Sequence, residues 1–256
     1  MCSCFCNDFI MKKNKIFYII YDNAKTLIGA LIIAILIRSL LFQPFYIPSS
    51  SMEPTLLVGD RIFVSKYTYG YSKHSFPFSP NISNKRFFSK SPERGDLVVF
   101  KTPADNRTDY IKRLIGMPGD TIQFVDGSIL INNQKILRKK TENKKVIRCG
   151  NFLLETDTFI ETLPNGIEHI VVYKKKGSLK NTKVFKVPAN HYFLLGDNRD
   201  CSKDSRYLDS VGYVNNLNLV GEAKIIFFSN DTNISSLLKI WNINKSFRLE
   251  RLFKGL

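Results

Sequence analysis

The sequence predicts a mainly β protein: an antiparallel β-sheet domain preceded by one N-terminal transmembrane helix. Three observations carry this. The most apolar stretch lies near the start of the chain, directly before Pro48. Beyond it, short runs rich in β-branched and aromatic residues recur between Gly, Pro, Asn and Asp. Between Pro48 and the C-terminus no long 3.6-residue periodicity competes with them. At 256 residues and 44% hydrophobic, the chain has material for a real core and is not disordered throughout.

The first element is the anchor, "LIGALIIAILIRSLLFQPFYIP". From Leu27 to Ile37 every residue is apolar or glycine, and Ser39–Phe42 partly resume the run after Arg38. A span needs about 20 mainly apolar residues, which places it at 27–46. Arg38 costs about 2.5–3.5 kcal/mol at a bilayer centre, but it lies past the middle and can snorkel outward. A buried core helix is the competing reading. The run is long for a signal-peptide core, and "FQPFYIP" offers no small-residue cleavage site, so the anchor is read as uncleaved. Lys12, Lys13, Lys15 and Lys25 precede it, opposed by Asp8 and Asp22, while Glu53, Asp60 and Arg61 follow. This asymmetry predicts a cytoplasmic tail at 1–26 and an exported domain at 47–256.

Strands are expected within "RIFVSKYTYGY", "DLVVFKTP", "DYIKRLIG", "DTIQFVDG", "SILINNQKI", "EHIVVYKKK", "KVFKVP", "HYFLLGD" and "EAKIIFFS". Asp126-Gly127 reads as the turn of a hairpin. Residues 70–94 mix Pro, Ser, Lys, Arg and Phe, suiting either a loop that dips aromatics into lipid headgroups or a loose surface insert. The Lys-rich 138–183 stretch shows little pattern and reads as a variable elaboration.

The charge of +16 favours an anionic partner, nucleic acid or a lipid surface, and composition alone does not choose. Cys2, Cys4 and Cys6 lack the second half a zinc site needs, so no metal or cofactor is expected. Cys149 and Cys201 can pair if that part of the chain lies outside the cytoplasm.

Three serines, Ser49, Ser50 and Ser51, follow the anchor. If residues 47–51 are extended, Ser49 and Ser51 share one face and Ser50 takes the other. One face then holds a nucleophile with a hydroxyl donor beside it, as acyl transfer through an oxyanion requires; a solvated loop is the plain alternative. His74, His169 and His191 sit in poor contexts for a base, and a lysine is the other option. Only about 0.04% of an ordinary lysine is neutral at pH 7, so a lysine base must be buried among apolar neighbours. "YIKRLIGMPGD" offers Lys112 in such a setting, though from the pattern alone a snorkelling strand lysine is the plainer account. "GDNRDCSKDSR", 196–206, packs alternating acids and bases directly after a strand. That suits a solvated loop, or an ionic loop that stiffens a site.

An anchor followed in order by "PSSSMEPTLLVGD", "RGDLVVF", "DYIKRLIGMPGD" and "GDNRDCSKDSR" resembles bacterial type I signal peptidase, with "LVGEAKIIFFS" extending the likeness over most of the chain. The resemblance implies a mainly β core with a Ser-Lys dyad. By position, Ser51 matches the nucleophile, Lys112 the general base, and Ser49 with the Ser51 N–H the oxyanion hole. Ser202 matches the serine that hydrogen-bonds the lysine. Arg113, Asp197, Arg199, Asp200, Asp204 and Arg206 match the charged residues that brace the site. Two positions depart: Ser50 stands where the family often has glycine, and Cys201 where it often has asparagine.

The resemblance further implies a monomeric endopeptidase of the inner membrane that cuts signal peptides from exported preproteins, with membrane lipids but no nucleic acid as partners. A membrane-tethered basic β protein that binds anionic lipid or nucleic acid without catalysis is the rival class. Self-cleaving repressors share Ser-Lys chemistry but are soluble and carry a DNA-binding domain.

Overall fold

The structure, a computed structural model, describes residues 2–80, 83–141, 145–150, 152–230 and 247–256. Helix α1 covers Cys2–Leu40. Its apolar part, Ile20–Leu40, is 21 residues long and its most apolar window is not covered by any other part of the chain. At 1.5 Å per residue that segment is about 30 Å long, the thickness of a bilayer's hydrocarbon core.

The helix begins and ends earlier than the 27–46 window. Its backbone is already helical within the stretch read as a tail, and Phe42–Tyr46 form a strand instead of its last turn. Pro44 supplies the reason: it has no N–H and its ring clashes with the preceding helical turn, whereas an edge strand tolerates it.

In chain order the strands are β1 (Phe42–Tyr46), β2 (Asp60–Ser65), β3 (Leu97–Lys101), β4 (Asp109–Gly116), β5 (Thr121–Val125), β6 (Ser128–Ile131), β7 (Gln134–Lys135) and β8 (Leu137–Lys140). There follow β9 (Lys145–Cys149), β10 (Phe152–Thr162), β11 (Glu168–Lys174), β12 (Phe185–Lys186), β13 (His191–Leu195), β14 (Val214–Asn215), β15 (Leu219–Ser229) and β16 (Lys254–Gly255). Each run singled out in the sequence overlaps at least one of them. The named strand pairings are all antiparallel.

The main sheet has the order β1-β2-β15-β3-β4-β13-β14, with β16 also on β15. One of its faces buries Ile62, Val64, Leu97, Val99 and Ala223 with Met52 and Leu56 from the loop after β1. The other buries Val98, Phe100, Leu114 and Leu194. The β3 run is apolar throughout because both of its faces are covered. A smaller sheet, β12-β5-β6-β7, packs Ile122, Phe124 and Ile129 against Phe193. Its first hairpin turns at Asp126-Gly127, where Val125 faces Ser128 and both turn residues have positive φ. That is the conformation an Asp-Gly turn favours.

Most of residues 138–183, which show little pattern in the sequence, form ordered sheet. β10 pairs with β8, β9 and β11. Residues 70–94 are also tied down over most of their described length. Arg86 donates to the carbonyls of Gly70, Asn216 and Leu219, and Tyr71 pairs with Phe87. Phe78 and Phe88 nevertheless project fully or nearly so.

Candidate active site

Ser51 sits in a single 3-10 turn, Ser50–Met52, entered from an extended Ser49. Met52 is buried in the core below, which pins the turn to the sheet. The alternation expected for 47–51 therefore stops at Ser49. Ser49 and Ser51 still meet, Oγ to Oγ at 3.3 Å, because the turn swings Ser51 back toward its neighbour. Ser50 points elsewhere, its hydroxyl 3.9 Å from Cys201 Sγ.

β4 carries Lys112 to the same point. Lys112 Nζ donates to Ser51 Oγ at 2.7 Å and to the Ile111 carbonyl at 2.9 Å. The side chain is buried, only 3% exposed. Burial pulls its pKa down to about 8; Asp204 and Asp197 pull upward and Arg206 pulls down. Roughly a tenth of such an amine is neutral at pH 7, over a hundredfold more than at the reference value. This arrangement holds in contact with a hydroxyl an amine whose neutral form is within easy reach at neutral pH.

Arg113, the next residue, lies on the opposite face of β4. Its guanidinium grips Asp197 with two bonds, Nε to Oδ1 at 2.8 Å and a terminal nitrogen to Oδ2 at 2.7 Å, and donates to the Gly95 carbonyl at 2.8 Å. Thr55 also donates to Asp197, at 2.5 Å. Burial pushes the Asp197 carboxyl up, but Arg113, His169 and Thr55 together hold it below the usual range. A second arginine, Arg206, holds Asp204 at 2.8 Å, and Asp204 accepts the Gly196 N–H at 3.0 Å. The loop in turn holds the serine turn: Asn198 donates to the carbonyls of Ser51 at 3.2 Å and Ser50 at 3.1 Å. Gly196 is required by this fit. A Cβ there would lie 2.5 Å from the Ser51 carbonyl oxygen and inside the Ser202 side chain.

The pair opens onto a cleft of about 410 Å³, lined by Phe45–Ser49 on one side and Thr108–Lys112 on the other. β13 pairs with β4 only at Arg113, Leu114 and Gly116. Among the described residues, Asp109–Lys112 therefore have β3 on one side and an open edge on the other.

Comparison with known proteins finds relatives that match most of the chain. The family described as "Signal peptidase, peptidase S26" matches residues 20–228. The chain belongs to the signal peptidase S26 family. A signal peptidase I of Rickettsia typhi (strain ATCC VR-144 / Wilmington) is 44% identical over 243 residues, covering 88% of this chain and 89% of that one. One of Rickettsia prowazekii (strain Madrid E) is 43% identical over 242 residues, covering 88% and 89%. One of Rickettsia bellii (strain OSU 85-389) is 37% identical over 257 residues, covering 91% and 84%. A crystal structure of a signal peptidase I from Enterococcus faecalis V583 is 26% identical with a TM-score of 0.32, covering 52% of this chain and 97% of that one. With its apolar helix, this signal peptidase family member is membrane-anchored.

Within this family member the expected site residues do not all meet. Ser49, Ser51 and Lys112 converge, with Arg113, Asp197, Asp204 and Arg206 bracing the loops around them. Ser202 differs from expectation: its hydroxyl is buried and makes no hydrogen bond among the described residues, because Lys112 uses Ser51 and its own strand's Ile111 carbonyl as acceptors. Asp200 faces the β10–β11 sheet, accepting the Lys174 N–H at 2.8 Å and the Ser178 hydroxyl at 3.0 Å. Arg199 is buried against Glu161 and Tyr173 of that sheet. The histidines do not reach Ser51. His169 is held neutral by burial, at about 3, and His191 bonds Ala189 and Asn215.

Thr55, Glu161 and Asn198 were not legible as site residues, since each acts by contacts between distant segments. Cys149 and Cys201 form a disulfide, linking β9 to the loop that holds Ser202.

Proposed function

We propose that this protein is a serine endopeptidase that removes N-terminal signal peptides from exported preproteins, with Ser51 as nucleophile and Lys112 as general base. The observation that carries the reading is the 2.7 Å contact between a buried, pKa-lowered amine and a serine hydroxyl at the wall of a cleft. The neutral Lys112 amine accepts the Ser51 proton as Oγ bonds to the scissile carbonyl carbon, and the carbonyl electron pair moves onto oxygen. The Ser49 hydroxyl and the Ser51 N–H donate to that oxyanion. Collapse expels the amine, which takes the proton from Lys112, and leaves an ester on Ser51. Water, deprotonated by Lys112, then hydrolyses the ester.

The substrate segment adds as an extended strand along the Asp109–Lys112 edge, which no second strand pairs among the described residues. The anchor holds enzyme and membrane-tethered preprotein in one plane, which raises their effective concentration. The basic residues before the apolar Ile20–Leu40 segment favour a cytoplasmic N-terminus, and the Cys149–Cys201 disulfide favours an oxidising compartment for 47–256. We therefore assign the domain to the outer face of the inner membrane, acting as a monomer among membrane lipids. The test is processing of a model preprotein by the purified full chain in detergent micelles. The wild type should cleave after the signal peptide and Ser51→Ala and Lys112→Ala should not. Cleavage by Ser51→Ala at a comparable rate refutes the assignment.

A further inference from the structure

A second cavity, of about 290 Å³, lies where α1 meets the sheet domain. Arg38, Lys66, His74, Lys101, Arg107 and Asp109 are among its lining residues. That is four cations and one acid, and the acid is already taken: Lys101 Nζ lies 2.9 Å from Asp109. The side chains of Arg38 and Arg107 have no hydrogen bond or ion pair among the described residues. Lys66 is buried, and among the described residues its ammonium reaches only the Ser75 carbonyl, at 2.5 Å. His74 is 5% exposed; its Nδ1 meets Ser79 Oγ at 3.0 Å, while its Nε2 is buried without a partner among the described residues. Burying the Lys66 ammonium and an imidazole nitrogen with no counter-group is costly unless something pairs with them, and the exposed Arg38 and Arg107 line the same cavity. The missing group is an anion.

The location says which anion. Arg38 stands on the last turn of α1, at the end of the apolar Ile20–Leu40 segment, so the cavity opens at the level where hydrocarbon gives way to headgroups. Phe78, also at the cavity, is fully exposed, as a side chain entering the interface is. A cavity of this size takes a phosphate with a small alcohol and not a folded partner.

We propose that this cavity binds the phosphate of an anionic phospholipid headgroup, with the guanidiniums of Arg38 and Arg107 and the ammonium of Lys66 around the phosphate oxygens and His74 Nε2–H donating to one of them. Burial, and then Arg38, bring Lys66 down to about 8, and burial brings His74 down to about 4. An anion in the cavity raises the lysine's pKa and holds it charged, and the neutral imidazole keeps one N–H to give. The inference rests on reading α1 as a membrane span, and on nothing in the Ser51–Lys112 chemistry.

The test uses the delipidated full chain in neutral detergent, with phosphatidylglycerol or phosphatidylcholine added and retained lipid read by native mass spectrometry. The wild type should retain one phosphatidylglycerol in preference to phosphatidylcholine. Arg38→Gln/Arg107→Gln should lose that preference by roughly fivefold for each cation removed. In parallel, the His74 ring ¹⁵N signals should move with phosphatidylglycerol and not with phosphatidylcholine, a readout that needs no variant. Equal retention of both lipids, or an unchanged preference in the double variant, overturns the proposal. So does complete displacement by millimolar inorganic phosphate, which marks a free-anion site. A raised KM for a preprotein with an acidic segment, in lipid-free detergent and without any lipid preference, marks a substrate site and overturns it too. Because lipid retention is read apart from cleavage, failure here leaves the peptidase reading intact, and failure there leaves this one.

Discussion

Glu161 and Arg199 meet in two charge-assisted hydrogen bonds, at 2.8 Å and 2.6 Å, with both side chains almost completely out of water. Tyr173 closes the group, its hydroxyl accepting from Arg199 and donating to Glu161. The pair joins β10 to the 196–206 loop, and that loop holds the carbonyls of Ser50 and Ser51 through Asn198. The β8–β11 sheet is thus a brace for the serine turn.

Glu161→Ala strands a buried guanidinium. We expect a loss of about 3–5 kcal/mol in unfolding stability, the usual cost of breaking one side of a buried pair. Glu161→Leu/Arg199→Leu should recover most of it, since removing both charges removes the desolvation cost as well. Denaturant unfolding of the full chain in micelles measures this. A loss as large in the double variant as in the single one means that the pair does not act as a unit.

Ser49 and Ser50 differ in what they touch. Ser49→Ala removes a hydroxyl 3.3 Å from the attacking oxygen and should lower kcat by roughly 10²–10³, as loss of one oxyanion donor does. Ser50→Ala removes a hydroxyl that faces Cys201 and should keep most activity. Equal damage from both would contradict the geometry of the 3-10 turn.

Ser202 carries a buried hydroxyl with no partner, so it adds no hydrogen bond to stability. Ser202→Ala should leave unfolding within about 1 kcal/mol of wild type. We expect kcat to fall nonetheless, by up to roughly 10²-fold, because catalytic contacts often tighten only with substrate bound and a displacement of about 1 Å has that cost. An unchanged kcat would remove Ser202 from the machinery.

The strands were legible because both periodicity and turn residues mark them: "DLVVF" is apolar on both faces, and Asp126-Gly127 can hardly avoid a tight turn. Pro44 could have ended the helix on paper, but apolar content alone extended it to residue 46. β8, β9 and β10 escaped notice because polar residues are buried there, as at Thr156, Thr158 and Glu161, while apolar ones such as Leu137, Val146, Phe152 and Leu153 are exposed, which blurs the alternation. Lys112 was legible as a lysine among apolar neighbours, yet only the packed structure brings it to Ser51. Glu161 had no local signal, since its importance comes from a partner 38 residues away in sequence.

Lys112 sets the pH dependence. Its amine must be neutral to take the Ser51 proton, and burial brings its pKa to about 8. The neutral fraction, and with it kcat/KM, should therefore rise tenfold per pH unit below that value and level off above it. The sign follows from the charge type: a base whose pKa is lowered gains its active form as pH rises. Asp204 is the largest charge working against the shift, so weakening its field moves the limb to lower pH, and weakening that of Arg206 moves it upward. Arg206→Lys keeps a cation near Asp204 but lets it retreat, and should move the limb slightly above that of the wild type without abolishing cleavage. Measuring kcat/KM for one preprotein from pH 6 to 10 decides it. A flat profile, or a limb near the ordinary lysine value of about 10.4, would mean that no neutral lysine of lowered pKa drives the attack.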